Sequence, residues 1–480
     1  MRLSAFGLII VVSLSWGNAC AASAVHLDFN HAVEMTLASS PTLQESQGQL
    51  RAANGAATAA EGARWPHLSA SLAAARSNNP LTVFGYKLSQ RDVTFADFGA
   101  AQFTGPGSLD VAPEALNYPG AYDNFNTSLQ IEWQLYAGGR LSATVAEARA
   151  AIKAAKSGND AAHQAVILEV LRAYEGVRAA TAQLAVARRT RAAARSYLEM
   201  ARKRYQQGTT IKSDVLTAQV GFDQSRLANR TASDQLASAR EYLRILVGLP
   251  AGTEIAIGPP AKPDMPTAPL AVLQVQAAAR NPTLLELRSH VTSRRAAVSS
   301  EKSTYLPRVS LVASRDWNDR TFGLSAPSYT IAGVLSWDIF DFGARRGSVM
   351  RARGNLDSAE ARVRAYEQQL QVKLDRTWRS AREAADRVAV SRTAVEQAGE
   401  AQRILKLRFG QGLATITALL DGQTRLEQAE SDLLYAHYQL SLSRATLLAE
   451  LGELDLGRFG TGRNATNTTA VPAAGTGVHP

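Results

Sequence analysis

Two stretches of the chain alternate apolar and polar residues with a period of two. From Phe125 to Leu135, one face collects Phe125, Thr127, Leu129, Ile131, Trp133 and Leu135, while Asn126, Ser128, Gln130, Glu132 and Gln134 take the other. The stretch from Tyr329 to Ile339 repeats the pattern more loosely, with Ile331, Leu335, Trp337 and Ile339 on the apolar side. Shorter alternations precede each of them, Leu68, Ala70 and Leu72 among serines and Val309 and Leu311 around Ser310. Period two predicts strands with one greasy and one wet side. Two hairpins, or four strands, follow.

A second texture is helical. Pro119 to Pro250 and Pro327 to Pro472 enclose long proline-free intervals. In the later interval Leu356, Ala359, Val363, Tyr366 and Leu370 step by three and four residues, as a coiled-coil seam does. Ile152, Ala155, Ala162 and Val166 keep the same register earlier, with Asn159 as a polar break. A continuous helix from Gly139 to Gln207 would be about 100 Å long at 1.5 Å per residue.

Both textures are written twice. At an offset of 204 residues Trp133 meets Trp337, Gly139 meets Gly343, Arg204 meets Arg408, Gly208 meets Gly412, Gln219 meets Gln423 and Gly248 meets Gly452. Upstream, Pro41 pairs with Pro282 and Pro66 with Pro307 at an offset of 241, so the first copy carries an insertion between Pro66 and Trp133. The expected organisation is a first repeat over 25–249, a proline-rich linker over 250–269 and a second repeat over 270–452. An enlarged hairpin loop is expected over 67–124 and a disordered tail over 453–480. "WQLYAGGR" and "WDIFDFGAR" then mark the two places where a strand stops at Gly139 or Gly343 and a helix leaves. Trp133 and Trp337 stand where the aromatic girdle of a membrane barrel would be.

The N-terminus gives the compartment. Arg2 precedes the apolar run Ala5 to Trp16, and small residues follow to Ala24, the pattern of a secretory signal peptide over residues 1–24. Cys20 is the single cysteine; it is removed with the signal or, with Ala19 before it and a poorly fitting Gly17, is a lipidation site. No stretch reaches the roughly 20 apolar residues of a transmembrane helix. Strands must therefore cross any membrane, and four strands cannot close a barrel in lipid, where open edges are not tolerated. Several chains must share one, and three would supply twelve strands.

Composition changes this picture little. The chain of 480 residues is 46% apolar, alanine-rich and poor in aromatics, as long helices packed by small residues require. Its net charge of +10 is spread through helical segments among acidic residues, with no aromatic-basic motif, so nucleic acid is not the expected partner. No HExxH, G-x-S-x-G or paired-cysteine site appears, and "GTGRNA" at Gly460 lacks the preceding strand of a dinucleotide loop. Neither an enzyme nor a cofactor is expected. A soluble periplasmic coiled-coil scaffold or adaptor is the competing class; it accounts for the heptads and not for the alternating strands.

The strand-to-helix corners, the "RYQQG" and "RFGQG" motifs and the duplicated layout resemble TolC-like outer-membrane efflux proteins across residues 27 to 455. That resemblance implies a mainly α protein with a β-barrel portion: a homotrimer whose twelve-stranded barrel sits in outer-membrane lipid and continues as a helical tunnel across the periplasm. It further implies docking to a periplasmic membrane-fusion adaptor and an inner-membrane pump of RND or ABC type, for efflux of drugs or metal ions or for type I protein secretion. The family's helical tips, where the tunnel gates and docks, map here to Arg204, Tyr205, Gly208 and Asp214 and to Arg408, Phe409, Gly412 and Asp421. Ala414 and Ala418 stand where the family often carries an arginine and an acid, so a charge lock would need Lys212, Arg408 or Arg425. Tyr205 and Phe409 are expected to hold the closed tip, or else are ordinary helix-packing aromatics. Asp214 is a candidate helix N-cap, with Ser213 as rival.

Overall fold

The computed structural model describes residues 25–459. The signal peptide, Cys20 and the Gly460 segment lie outside the described residues. In chain order the elements begin with β1 (Val25–Leu27), α1 (Phe29–Ser39), α2 (Pro41–Gly62), β2 (His67–Ser77), α3 (Pro80–Gln90), α4 (Glu114–Asn117), β3 (Tyr122–Tyr136) and α5 (Arg140–Gln206). They continue with α6 (Lys212–Val247), β4 (Ile255–Ile257), α7 (Leu270–Arg280), α8 (Pro282–Lys302), β5 (Arg308–Asp319), β6 (Pro327–Ser336), α9 (Ala344–Gly410) and α10 (Ile416–Leu451). Helices α5 and α9 are each 67 residues long, and α6 and α10 are each 36. The duplication seen in sequence is thus a duplication of elements.

The chain divides into two compact units, whose boundaries near residues 162 and 372 fall inside α5 and α9. One unit, residues 42–162 and 274–372, holds a four-stranded antiparallel sheet in the order β2-β3-β5-β6. Its register sorts chemistry by face. Ser69, Gln130, Ser314 and Thr330 align across the four strands, and so do Ser71, Ser128, Asp316 and Ser328. On the opposite face Leu68, Ile131, Ala313 and Ile331 align in the same way. Because a slip of one residue would exchange these faces, the alternation fixes the register. The apolar face is bare in the single chain: Leu68 is 65% exposed and Ile331 69%. Strands β2 and β6 are the sheet's unpaired edges.

Three boundaries differ from the sequence reading. The enlarged loop is narrower than 67–124, because β2 takes residues 67–77 and β3 starts at Tyr122. It contains helix α3, capped by Asn79 and stiffened by the Lys87–Asp97 ion pair at 2.5 Å. Strand β6 ends at Ser336, so Trp337 and Ile339 lie past the strand rather than on it. The chain leaves its inter-strand register there because Asp338 and Asp341 turn inward to Arg345, which donates to the Asp338 carbonyl and to Asp341 Oδ2 at 2.7 Å.

The other unit, residues up to 41, 163–273 and from 373, is helical around one core. Leu27, Val170, Tyr174, Leu243 and Leu448 are fully buried there, and the Phe29 ring meets Tyr174 and Phe459 at 5.7 and 4.4 Å. The proline-rich linker does not merely pass by. Its β4 pairs in parallel with β1, Tyr174 Oη donates to the Pro259 carbonyl at 2.9 Å, and the Ala261 amide donates to Glu175 at 2.8 Å. The tail stays ordered beyond residue 453: Phe459 is buried and bridges to Pro263. A three-residue strand pair is too short to give a period-two signal, which is why the sequence hid β1 and β4.

Candidate functional site

The two helical hairpins α5–α6 and α9–α10 end in turns of the same construction. Gly208 and Gly412 take left-handed backbone, at φ +71 and +81. The Thr209 amide donates to the Arg204 carbonyl at 2.9 Å and the Leu413 amide to the Arg408 carbonyl at 2.8 Å, six-to-one bonds that close a Schellman turn. Glycine is needed because a Cβ at these φ values costs about 1–2 kcal/mol. The "R-aromatic-x-x-G" spacing is therefore the signature of a helix end.

Past the turns the copies diverge. Helix α6 starts from Ile211 with no side-chain cap, and neither Asp214 nor Ser213 supplies one. Asp214 sits in the first helical turn and accepts from Thr210 Oγ1 instead. The capping role moves to Thr415 in the second copy, whose side chain accepts from the Ala418 amide at 3.2 Å. Ala414 and Ala418 stand at the repeat positions of Thr210 and Asp214, so the second copy lacks the Thr–Asp bond. Asp421 is exposed on α10.

The aromatics diverge as well. Phe409 is buried, 4% exposed, among Tyr197, Leu198, Ala201, Ala218, Ile416 and Leu419. Tyr205 is 47% exposed. Arg204 reaches across from the first hairpin to the second: Nη1 donates to the Phe409 carbonyl at 2.7 Å, and the guanidinium stands 5.1 Å from the Phe409 ring centroid. A Cβ on Gly412 would lie 3.1 Å from Arg204 Nη2. Deeper in, Gln402 Nε2 donates to Tyr197 Oη at 2.7 Å and to Gln423 Oε1 at 3.1 Å, and burial pushes the Tyr197 hydroxyl above its usual pKa. The motif spacing marks Arg204 but does not identify its partner. Repeat spacing reveals which residues correspond, and only packing reveals which of two equivalents is covered.

The strand-to-helix corners form a second site. Trp133 Nε1 donates to the Arg64 carbonyl at 3.0 Å, and Trp337 Nε1 donates to the Tyr305 carbonyl at 3.1 Å. Arg64 and Tyr305 each precede the repeated prolines Pro66 and Pro307 by two residues, so each tryptophan ties a corner to the start of its own hairpin. Gly139 and Gly343 both have positive φ, +86 and +94; a Cβ would make only an ordinary contact with Ser142 Oγ at 3.9 Å in the first and would stand in open space in the second. The tight position is their neighbour Gly138, where a Cβ would stand 2.6 Å from the Ser303 carbonyl oxygen and 2.8 Å from Leu306 Cβ. Helix α5 begins at Arg140, whereas α9 begins at Ala344, one residue before its arginine.

Among the described residues, no helix is long and apolar enough to cross a membrane, and no group of side chains is arranged to hold a metal ion. A strand sheet with one bare apolar face and duplicated helical hairpins are the features a relative would have to share.

The family model for outer membrane efflux proteins matches residues 32–249 and 273–453. The alkaline protease secretion protein AprF of Pseudomonas aeruginosa is 22% identical over 346 residues, 70% of this chain and 71% of its own. Protein CyaE of Bordetella pertussis is 26% identical over 334 residues, 68% of this chain and 70% of its own. The outer membrane channel CmeC of Campylobacter jejuni superposes with a TM-score of 0.74 at 14% identity, covering 91% of this chain and 87% of that one. The chain belongs to the outer membrane efflux protein family, placing it in the outer membrane and extending into the periplasm.

Proposed function

We propose that this chain is the outer-membrane duct of a tripartite efflux system, working as a homotrimer with a periplasmic adaptor and an inner-membrane pump to expel small molecules such as drugs or metal ions. The observation that carries this reading is the four-stranded sheet with a bare apolar face, a polar face and two unpaired edges. An open edge in hydrocarbon leaves backbone donors and acceptors without partners, each at a cost of several kcal/mol. Strands β2 and β6 run antiparallel in the four-strand order, so β6 of one chain can continue into β2 of the next. Three copies close a twelve-stranded barrel, wider than the eight-stranded size that side chains fill. Asn126, Gln130 and Glu132 then line the wet interior, and Trp133 and Trp337 stand at the lipid interface. On this reading the tips carrying Tyr205, Gly208, Asp214, Phe409, Gly412 and Asp421 form the periplasmic gate, and Cys20 leaves with the signal peptide.

A second reading, outlet of a type I secretion system, is favoured by the likeness to AprF, whose name assigns it to protease secretion. Deleting the gene decides between them. Efflux predicts a lowered inhibitory concentration for amphiphilic drugs or metal salts, restored by the intact gene. Unchanged susceptibility with loss of one protein from the culture medium would replace efflux by secretion.

A further inference from the structure

Helix α3 lies in the insertion that the first repeat alone carries, and its contacts fix which face of the sheet it covers. Gln90 Nε2 donates to Asn124 Oδ1 at 2.8 Å and to the Asp123 carbonyl at 2.9 Å, and Tyr122 Oη donates to Asp92 Oδ2 at 2.9 Å. The Lys87 ammonium and the Arg320 guanidinium stand 5.5 and 4.7 Å from the Tyr122 ring centroid. Asn124 and Asn126 each donate in turn to Asn318 Oδ1 at 3.1 Å. Tyr122, Asn124 and Asn126 share the even register of Ser128 and Gln130, so all of them stand on the wet face. Burial follows the same line. Tyr122 and Asn124 are buried, whereas Gln130 and Glu132, farther along that face, are exposed. The insertion therefore folds over the wet face and not outward over the bare apolar one.

Helix α3 also crosses the sheet from edge to edge. It starts at Pro80, just after β2 ends at Ser77, and Arg91 at its other end donates to the carbonyl of Pro327, the first residue of β6, at 2.9 Å. Its 11 residues make a helix about 16 Å long, and four strands spaced about 4.8 Å apart are about 14 Å wide. Val83 and Gln90 are buried against the sheet. Leu81 and Leu88 project from the opposite side of the helix, 81% and 52% exposed. The Lys87–Asp97 ion pair and the edge-on contact of Phe84 with Phe98 at 5.7 Å hold the next turn of the insertion against α3.

We propose that this insertion is an inward collar: α3 of each chain lies across the outer end of the barrel lumen, the end away from α5, and leaves an aperture lined by Leu81 and Leu88 that retards bulky and hydrated solutes. The inference rests on the trimer proposed above. Twelve strands at about 4.8 Å spacing and about 40° tilt close a wall roughly 24 Å across. A helix with its side chains is about 10 Å thick, so helices standing on that wall all round leave roughly 5 Å between them. An apolar ring of that width resists filling by water, which is how hydrophobic constrictions exclude hydrated solutes.

Thiol access from outside tests this in intact cells, with Cys20→Ser and a single thiol from Gln130→Cys on the exposed part of the wet face. The probes are a small methanethiosulfonate and fluorescein maleimide, which is bulky and charged. Two variants widen the aperture. One replaces residues 78–121 by the short turn of the second hairpin, residues 320–326. The other is Leu81→Ala with Leu88→Ala, whose exposed side chains contribute little to folding. Fluorescein maleimide should react at least roughly tenfold faster in both variants than in the parent, while the small reagent changes little. Should the shortened hairpin fail to assemble, the leucine pair alone decides. Equal fluorescein rates in the parent and the leucine variant, in protein that native mass spectrometry finds trimeric, would overturn the collar and leave the trimer standing. A parent that is not a trimer would overturn both.

Discussion

Replacing Phe409 by alanine isolates the hydrophobic share of the tip. The ring is 4% exposed and packs on Tyr197, Leu198, Ala218 and Leu419 within the same chain. Truncating a buried phenylalanine costs about 3–5 kcal/mol, and the Arg204 cation–π contact lies within that figure. Arg204 keeps its bond to the residue-409 carbonyl in the variant, which favours the low end. At 1.4 kcal/mol per tenfold, a loss of about 3 kcal/mol raises the population of locally opened tips by roughly a hundredfold. Hydrogen exchange read by mass spectrometry on the purified channel should show that acceleration in peptides spanning 405–423 and 195–206, and not in the strands. Leu413→Ala is the control: that side chain is 65% exposed, so its removal should change exchange by less than about fivefold. In bilayers, Phe409→Ala should show longer and more frequent openings. Exchange accelerated by less than about fivefold at the tip would refute the packing argument, whatever the conductance did.

Three further outcomes follow from other parts of the molecule. Gly138→Ala should abolish assembly in the outer membrane, since its Cβ would meet the Ser303 carbonyl at 2.6 Å, whereas Gly343→Ala, with open space, should assemble with only the left-handed strain of about 1–2 kcal/mol; heat-modifiable gel mobility separates the two. Trp133→Phe and Trp337→Phe should each cost about 1 kcal/mol by denaturant titration, because each loses one hydrogen bond to a backbone carbonyl and keeps most of its ring. Burial raises the pKa of Glu175, against the lowering effects of the Ala261 amide and of Arg178 3.4 Å away. A carboxyl raised on folding binds protons more tightly in the native state, so its contribution is full below the unfolded pKa and is lost as pH rises through the folded one. Melting temperature should therefore fall from about pH 4.5 upward by more in the parent than in Glu175→Gln, and equal slopes would remove Glu175 from the account.

The sequence made the large features legible because they are periodic or duplicated. Strand alternation at Phe125–Leu135, the coiled-coil stepping at Leu356–Leu370 and the first strand-to-helix corner survive in the structure, the second strand stopping early at Ser336, and α5 ends one residue from where spacing placed it. Leu356, Ala359, Val363 and Tyr366 are half-buried and Leu370 buried, the stripe a seam requires. Asn159, the polar break in the corresponding first-copy seam, accepts a hydrogen bond from the buried Ser46 hydroxyl at 2.9 Å. Asymmetry was not legible. Tyr205 and Phe409 are indistinguishable by register, yet one is covered and the other bare, because a linear repeat cannot say which copy a neighbour covers. Capping misled in the same way: Asp214 has the residue type of an N-cap, but the turn after Gly208 delivers Ile211 to that position. Gly138 was overlooked beside Gly139 because its equivalent is Phe342, and the constraint comes from a turn some 165 residues away in sequence that periodicity does not see.

In the proposed assembly chains join edge to edge, second copy to first, into a closed ring of three. Native mass spectrometry of the channel extracted from outer membranes in mild detergent measures this directly. The expected result is one species at three times the mass of the processed chain, unaltered by dilution. A monomer, a dimer or a concentration-dependent series would contradict it: a monomer leaves β2 and β6 unpaired in lipid, and two chains close only an eight-stranded barrel whose interior side chains fill.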